Sequence, residues 1–229
     1  MVSRLTEQMR YAKSRPYRMR RRAEQVDETR LRITEAAMRL HTTIGPARTS
    51  IAGVAEEAGV TRLTVYRHFP DIDSLFAACS RHWAELHPGP DAEAWRAIPG
   101  LEARARLALT ELYGWYRRNG HELYPIYRDV ASVPAVTRDA ARSRYARMAD
   151  VLVEGQELDR VAARRLRAAA GHVVSFWTWH SLALQQGLDD AAAVDLAVGF
   201  LSRAAQRAAA GRRPGPRRAP ISARPTTFP

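Results

Sequence analysis

Six side chains between residues 62 and 68 offer the chemistry that a nucleic-acid duplex accepts: Arg62, Leu63, Thr64, Tyr66, Arg67 and His68. An arginine pairs bidentately with guanine, a leucine meets a thymine methyl, and a threonine does either. Tyr66 and His68 suit phosphate oxygens, contacts that set register without reading sequence. No acid interrupts the group. Val65 and Phe69, four apart, share the opposite, apolar face.

The flanking residues position this short helix. Ser50 or Thr49 can cap a first helix running from Ile51 through Ala58, where Ile51, Val54, Ala55 and Ala58 share one face. Gly59 ends it, because glycine takes the left-handed conformation that redirects a chain. Thr61 caps a second helix through Phe69, and Pro70 closes it. Small Ala55 and Ala58 allow the two backbones to approach, and Val60 plugs the angle between them. The pattern is a helix-turn-helix whose second helix fits a major groove, with Ser50 and Thr61 at the two helix starts joining the DNA-facing set. The plainer reading of the same spacing is a packed hairpin with one basic face.

The run Ala55, Ala58-Gly59-Val60-Thr61, Thr64, Tyr66-Arg67-His68-Phe69 closely resembles the DNA-binding signature of the tetracycline-repressor (TetR) family. The resemblance reaches back through Ile33, Ala36, Ala37, Leu40 and Gly45 and forward to Leu75, covering roughly residues 28 to 80. At Ile72 the chain departs from the lysine many members carry. What the resemblance implies is an all-α fold, a dimer, and a repressor controlled by a small molecule. In the family, the tilt of the helix after the reader sets the spacing of the two recognition helices.

Charge sits at the ends of the chain. The 229 residues carry a formal +12, of which residues 1–26 hold +6 and residues 211–229 hold +5, leaving the rest near neutral. A basic arm over 1–26, ending in Arg20, Arg21 and Arg22, is expected to be flexible and attracted to phosphate. The proline- and arginine-rich stretch 211–229 reads as a disordered, solubilising tail. One cysteine, Cys79, excludes an intrachain disulfide and fits a reducing cytoplasm; it falls on an apolar stripe with Leu75, Phe76, Trp83 and Leu86. Residues 168–188 lack charged side chains, but His172, Thr178, His180, Gln185 and Gln186 make them too polar for lipid. A buried helix is expected there, with no membrane partner.

The domain plan is a helix-turn-helix domain over 27–87, including a linking helix capped by Asp71, then a larger helical domain over 88–210. The first helix is expected from Asp27 to His41. Beyond the breaker Pro88-Gly89-Pro90, helices are expected over 91–98, 101–118 (stopped by Asn119-Gly120), 122–131, 135–154, 159–186 and 189–210. The last two carry stripes of Val173, Phe176, Trp177, His180 and Leu184, and of Val194, Val198 and Leu201. These suit a four-helix interface between two copies, the symmetry a palindromic operator requires. Tyr113, Tyr116, Tyr127, Tyr145, Trp177 and His180 are the candidates to line a site for an apolar or aromatic effector. His172 and His180 lie poorly placed for a shared metal, no phosphate loop or hydrolase motif occurs, and no enzyme activity, cofactor or metal is expected. The rival reading is a ligand-independent architectural or activating DNA-binding protein.

Overall fold

The computed structural model describes the backbone of residues 2–210 and the side chains of residues 17 and 19–207. The expected tail 211–229 lies outside the described residues, as do the side chains of the first sixteen. Among the described residues all regular structure is helical. They fall into two compact units: the chain up to Asp91 with Thr110–Arg147, and Ala92–Leu109 with the chain from Met148 onward.

The first unit is built on α1, Val2–Thr43, so the expected start at Asp27 falls inside a continuous helix. Arg, Ala, Glu, Gln and Met dominate residues 17–26, all strong helix formers, and nothing there competes for the backbone. Its inward stripe is Ile33, Ala36 and Ala37, each fully buried, against which α2 (Ile51–Glu57) and α4 (Ile72–Leu86) pack. Leu75 and Cys79 of α4 complete this core with Val54, Ala55, Val65 and Phe69. Ser74 N–H bonds to Asp71 Oδ1 at 2.7 Å, which starts α4 where expected.

Helix α5 spans Leu101–Arg128 without stopping at Asn119-Gly120. The reason is tertiary: Asn119 and Gly120 are both buried, and Asn119 Nδ2 donates to the Trp115 carbonyl at 2.8 Å instead of redirecting the chain. Its second half and most of α6 (Ala135–Val153) pack with the first unit.

The second unit holds α7 (Arg160–Val173), α8 (Phe176–Trp179) and α9 (Asp190–Ala210). The expected single helix over 159–186 is broken because the Ser175 hydroxyl accepts from Trp177 N–H and restarts the helix; a π-helical turn, His180–Gln185, follows. Helices α7 and α9 pack together through Leu166, Ala170, Val173, Val194, Val198 and Leu201, all buried. Most of the stripe expected to face a partner subunit is therefore used within the chain. Trp177, Leu184, Leu196 and Phe200 are left exposed, at 44%, 50%, 52% and 50%. Among the described residues, no helix is long and apolar enough to cross a membrane.

Candidate nucleic-acid interface

The recognition pair is assembled by local chemistry. The Ser50 side chain accepts from Gly53 N–H at 3.1 Å, satisfying one of the orphan amides of α2. At the other end Gly59 takes φ +64°, its N–H bonds to the Glu56 carbonyl at 3.0 Å, and Val60 N–H reaches back to Ala55 at 2.9 Å. That pair of bonds is a Schellman stop, followed by Val60 packing on the core. Two residues on, the Thr61 side chain accepts from Thr64 N–H at 3.2 Å and opens α3, Arg62–His68.

Helix α3 is held from behind. Val65 and Phe69 are 0% and 1% exposed, so the apolar face expected for this helix is the one it buries. The face it leaves outward carries Arg62, Leu63, Tyr66 and Arg67, all exposed, with Leu63 at 71% and Tyr66 at 50%. Thr64 and His68 are half-buried. The Thr64 hydroxyl lies 2.9 Å from that of Thr61, which orients it at the helix start. Burial, together with the charges of Arg30 and Arg67, holds the His68 imidazole below its ordinary value.

Ser50, Arg62 and Tyr66 meet in one cleft of about 590 Å³, floored by Ile51, Val54 and Leu75 and bordered by Ile72. Thus three of the residues picked from the sequence share a surface between the starts of α2 and α4, with α3 between them. Arg20, Arg21 and Arg22 are exposed on α1, and Arg20 Nε pairs with Glu24 at 3.0 Å.

Sequence reasoning missed Arg30. Its Nη1 donates to the His68 carbonyl at 2.5 Å and its guanidinium lies 4.1 Å from the centre of the Phe69 ring. One side chain of α1 thereby satisfies the last carbonyl of α3 and covers its anchor. The signal was present: Arg30 stands three residues before Ile33 on the inward stripe, a charge where an apolar residue belongs.

The residues proposed to line an effector site divide. Tyr113 and Tyr116 are fully buried, Tyr127 and Tyr145 partly so, and all four lie in the first unit. Tyr116 hydroxyl donates to Tyr145 hydroxyl at 3.1 Å, and the Tyr127 hydroxyl contacts the same oxygen. Burial pushes all four phenols above their ordinary range, so each stays protonated. Trp177 and His180 belong to the second unit, where their rings meet edge to face at 5.4 Å. Among the described residues, no group of three or more His, Cys, Asp or Glu side chains could hold a metal ion.

Comparison with known proteins bears on the same stretch. Residues 33–79 match the family model described as "Bacterial regulatory proteins, tetR family". The HTH-type transcriptional regulator TtgR of Pseudomonas putida is 44% identical over 69 residues, 30% of this chain and 33% of that protein. The HTH-type transcriptional regulator AcrR of Shigella flexneri is 40% identical over 58 residues, 25% of this chain and 27% of that protein. The chain therefore aligns with about a third or less of these relatives' length. Among solved structures, a TetR-like transcriptional regulator from Rhodococcus sp. RHA1 superposes with a TM-score of 0.51 at 23% identity, over 80% of this chain and 97% of that one. NalD of Pseudomonas aeruginosa, the secondary repressor of the MexAB-OprM multidrug efflux pump, gives 0.51 at 20% identity over 78% and 96%. At those identities the likeness is one of fold. Over residues 33–79, the helix-turn-helix and the helices that hold it, this chain is similar to the tetR family of bacterial regulatory proteins.

Proposed function

We propose that the protein is a transcriptional repressor that binds a palindromic operator in double-stranded DNA as a homodimer and leaves it when an apolar or aromatic small molecule binds. The observation that carries the reading is the two-faced α3: Val65 and Phe69 locked inward, Arg62, Leu63, Tyr66 and Arg67 presented outward. Arg62 and Thr64 at its N-terminal end read base edges, while Tyr66, Arg67, His68, Ser50 and Thr61 hold the backbone. Arg20, Arg21 and Arg22 add attraction for phosphate. The relatives named as transcriptional regulators match over this segment, which supports a regulator rather than an enzyme. A single buried thiol, Cys79, suits the cytoplasm.

The test starts with fragments of the host genome selected on the purified protein. Affinity for the enriched site is then compared with that for random DNA. Arg62→Ala is expected to lose about 1–3 kcal/mol on the selected site and far less on random DNA. An equal loss on both would refute base reading by this side chain. Repeating the titration across salt, a chain lacking residues 1–22 is expected to show a shallower slope than the full chain.

Two copies are needed to place two α3 helices about 34 Å apart on one face of the duplex. The exposed apolar residues of α9, Leu196 and Phe200, with the His172 ring 5.6 Å from that of Phe200, supply the surface such a pair would bury. Because Phe200 is half-exposed in the single chain, Phe200→Asp is expected to leave the fold intact and give monomers in sedimentation. A dimer of unchanged affinity would place the interface elsewhere.

A second reading has one observation behind it. The phenols of Tyr116, Tyr127 and Tyr145 are bonded to one another, as in a closed core that only supports a ligand-independent regulator.

A further inference from the structure

The loop between α1 and α2 is gripped by a distant part of the chain. Arg128, the last residue of α5, and Asp129 after it form an ion pair, Nε to Oδ1 at 2.7 Å. Arg128 Nη2 also donates to the Ile44 carbonyl at 2.9 Å, and Asp129 Oδ2 accepts from Ala47 N–H at 3.2 Å. The Asp129 side chain is only 10% exposed. Between those two anchor points sits Gly45 at φ +94°, where a Cβ would overlap Asp129 Oδ2 and Arg128 Nη2. Both its backbone conformation and the closeness of the bracket exclude a side chain. Five residues further on, Ser50 caps α2.

The residue before the bracket faces a different environment. Tyr127 carries its hydroxyl to Tyr145 of α6, which also holds Tyr116. Two residues earlier Pro125 lies inside α5 and has no N–H to give the preceding turn, so the last turn is attached to the rest of the helix by one bond fewer. Asp129 N–H bonds to the Pro125 carbonyl at 3.1 Å, which keeps that final turn itself intact.

We propose that the last turn of α5, Pro125 to Asp129, couples the phenol cluster to the reading head: Tyr127 senses whether the phenols are bonded to one another, and the Arg128–Asp129 bracket transmits the change to the Ile44–Arg48 loop that leads into α2. Arg128 and Asp129 are thus positioning residues for DNA binding. A molecule with its own hydroxyl or carbonyl, inserted at the Tyr127–Tyr145 contact, turns the bracket and shifts the start of the helix-turn-helix. The consequence for DNA rests on the function proposed above; the mechanical coupling does not.

The experiment is hydrogen–deuterium exchange on the full chain, read over residues 44–50 and, as a reference, over the buried stretch 33–41. Tyr127→Phe removes one hydroxyl and keeps the Arg128 and Asp129 side chains. It is expected to speed exchange over 44–50 by about fivefold, what release of one ordinary hydrogen bond allows, and to leave 33–41 unchanged. Tyr145→Phe, which breaks the same contact from α6, is expected to do likewise, and it decides the matter if Tyr127→Phe does not fold. Unchanged exchange over 44–50 in a folded variant of either kind overturns the coupling. Asp129→Asn, which keeps the shape and discards the charge, is expected to lower the ratio of selected-site to random-DNA affinity about tenfold. A loop that responds to Tyr127 in a protein that selects no DNA leaves the coupling standing and removes the DNA reading. A protein that selects DNA but whose loop ignores both tyrosines does the reverse.

Discussion

Arg104→Ala destabilises the second unit by about 3–5 kcal/mol, the usual cost of removing one partner from a buried charged network. Arg104 is 8% exposed, and its partners are main-chain carbonyls: Nε donates to Ile98 at 3.0 Å, Nη1 to Val151 at 3.0 Å and to Glu154 at 2.9 Å. Val151 and Glu154 lie at the C-terminal end of α6, where carbonyls run out of amide partners and the helix dipole presents its negative pole. The guanidinium therefore acts as a cap delivered from another helix, and its charge is stabilised by oriented dipoles. Alanine removes the side-chain donor from the Ile98 and Glu154 carbonyls and leaves Val151 only the Glu154 N–H at 3.4 Å, an unpaired buried carbonyl costing ~1–3 kcal/mol where water does not reach it. Lysine retains the charge but reaches from one point, so Arg104→Lys is expected to recover only part of the loss. The check is urea unfolding followed by tryptophan fluorescence. At an m-value near 3 kcal/mol/M the alanine variant's midpoint falls by about 1 M or more. A midpoint within error of the parent would mean that solvent caps α6 instead.

Arg104 also marks the limit of what the residue order reveals. The recognition pair was legible nearly to the residue because every device in it is local. Ser50, Thr61 and Asp71 were readable as caps, Gly59 as the stop, and Val65 with Phe69 as the anchoring face. Each acts on backbone within four positions of itself. What could not be read depends on partners far along the chain. Asn119-Gly120 signals a stop, yet α5 continues because packing buries both residues. Ser175 looks like an ordinary polar residue on a buried helix until its hydroxyl is seen to restart the chain. The stripe over Val194, Val198 and Leu201 carries the right periodicity for a partner helix, and periodicity does not say whether that helix belongs to the same copy. Arg30 and Arg104 illustrate one blind spot from two directions. A basic residue on an inward stripe looks like noise in the pattern, whereas here each closes the C-terminal end of a different helix.

The core beneath the recognition helix is expected to show a stability plateau between pH 6.5 and pH 9, bounded by two buried groups. His41 of α1 stacks on Phe76 at 4.4 Å, with Nδ1 3.4 Å from Cys79 Sγ, while the thiol donates to the Phe76 carbonyl at 3.2 Å. Burial lowers the imidazole from 6.5 to about 4. Between those values the unfolded chain takes up a proton that the folded chain refuses. Stability is thus fully present above pH 6.5 and declines as pH falls toward 4, by roughly 3 kcal/mol. Burial pushes the thiol up, from 9.0 to about 12. Above pH 9 the unfolded chain releases a proton that the folded chain keeps, so stability declines again as pH rises toward 12, by roughly 4 kcal/mol. Other groups titrate in both ranges, the four buried phenols among them on the alkaline side, so the comparison between variants isolates each contribution. His41→Leu is expected to reduce the acid limb by its share and leave the alkaline one, and Cys79→Ala to reduce the alkaline limb between about pH 9 and 10, below the phenols' range, and leave the acid one, in urea midpoints measured across pH. Because His41 also lines the cleft shared by Ser50, Arg62 and Tyr66, acid weakening of this core reaches that cleft. An acid limb of equal slope in the parent and His41→Leu would show that the imidazole is solvated, and that the core under α3 is looser than its burial implies.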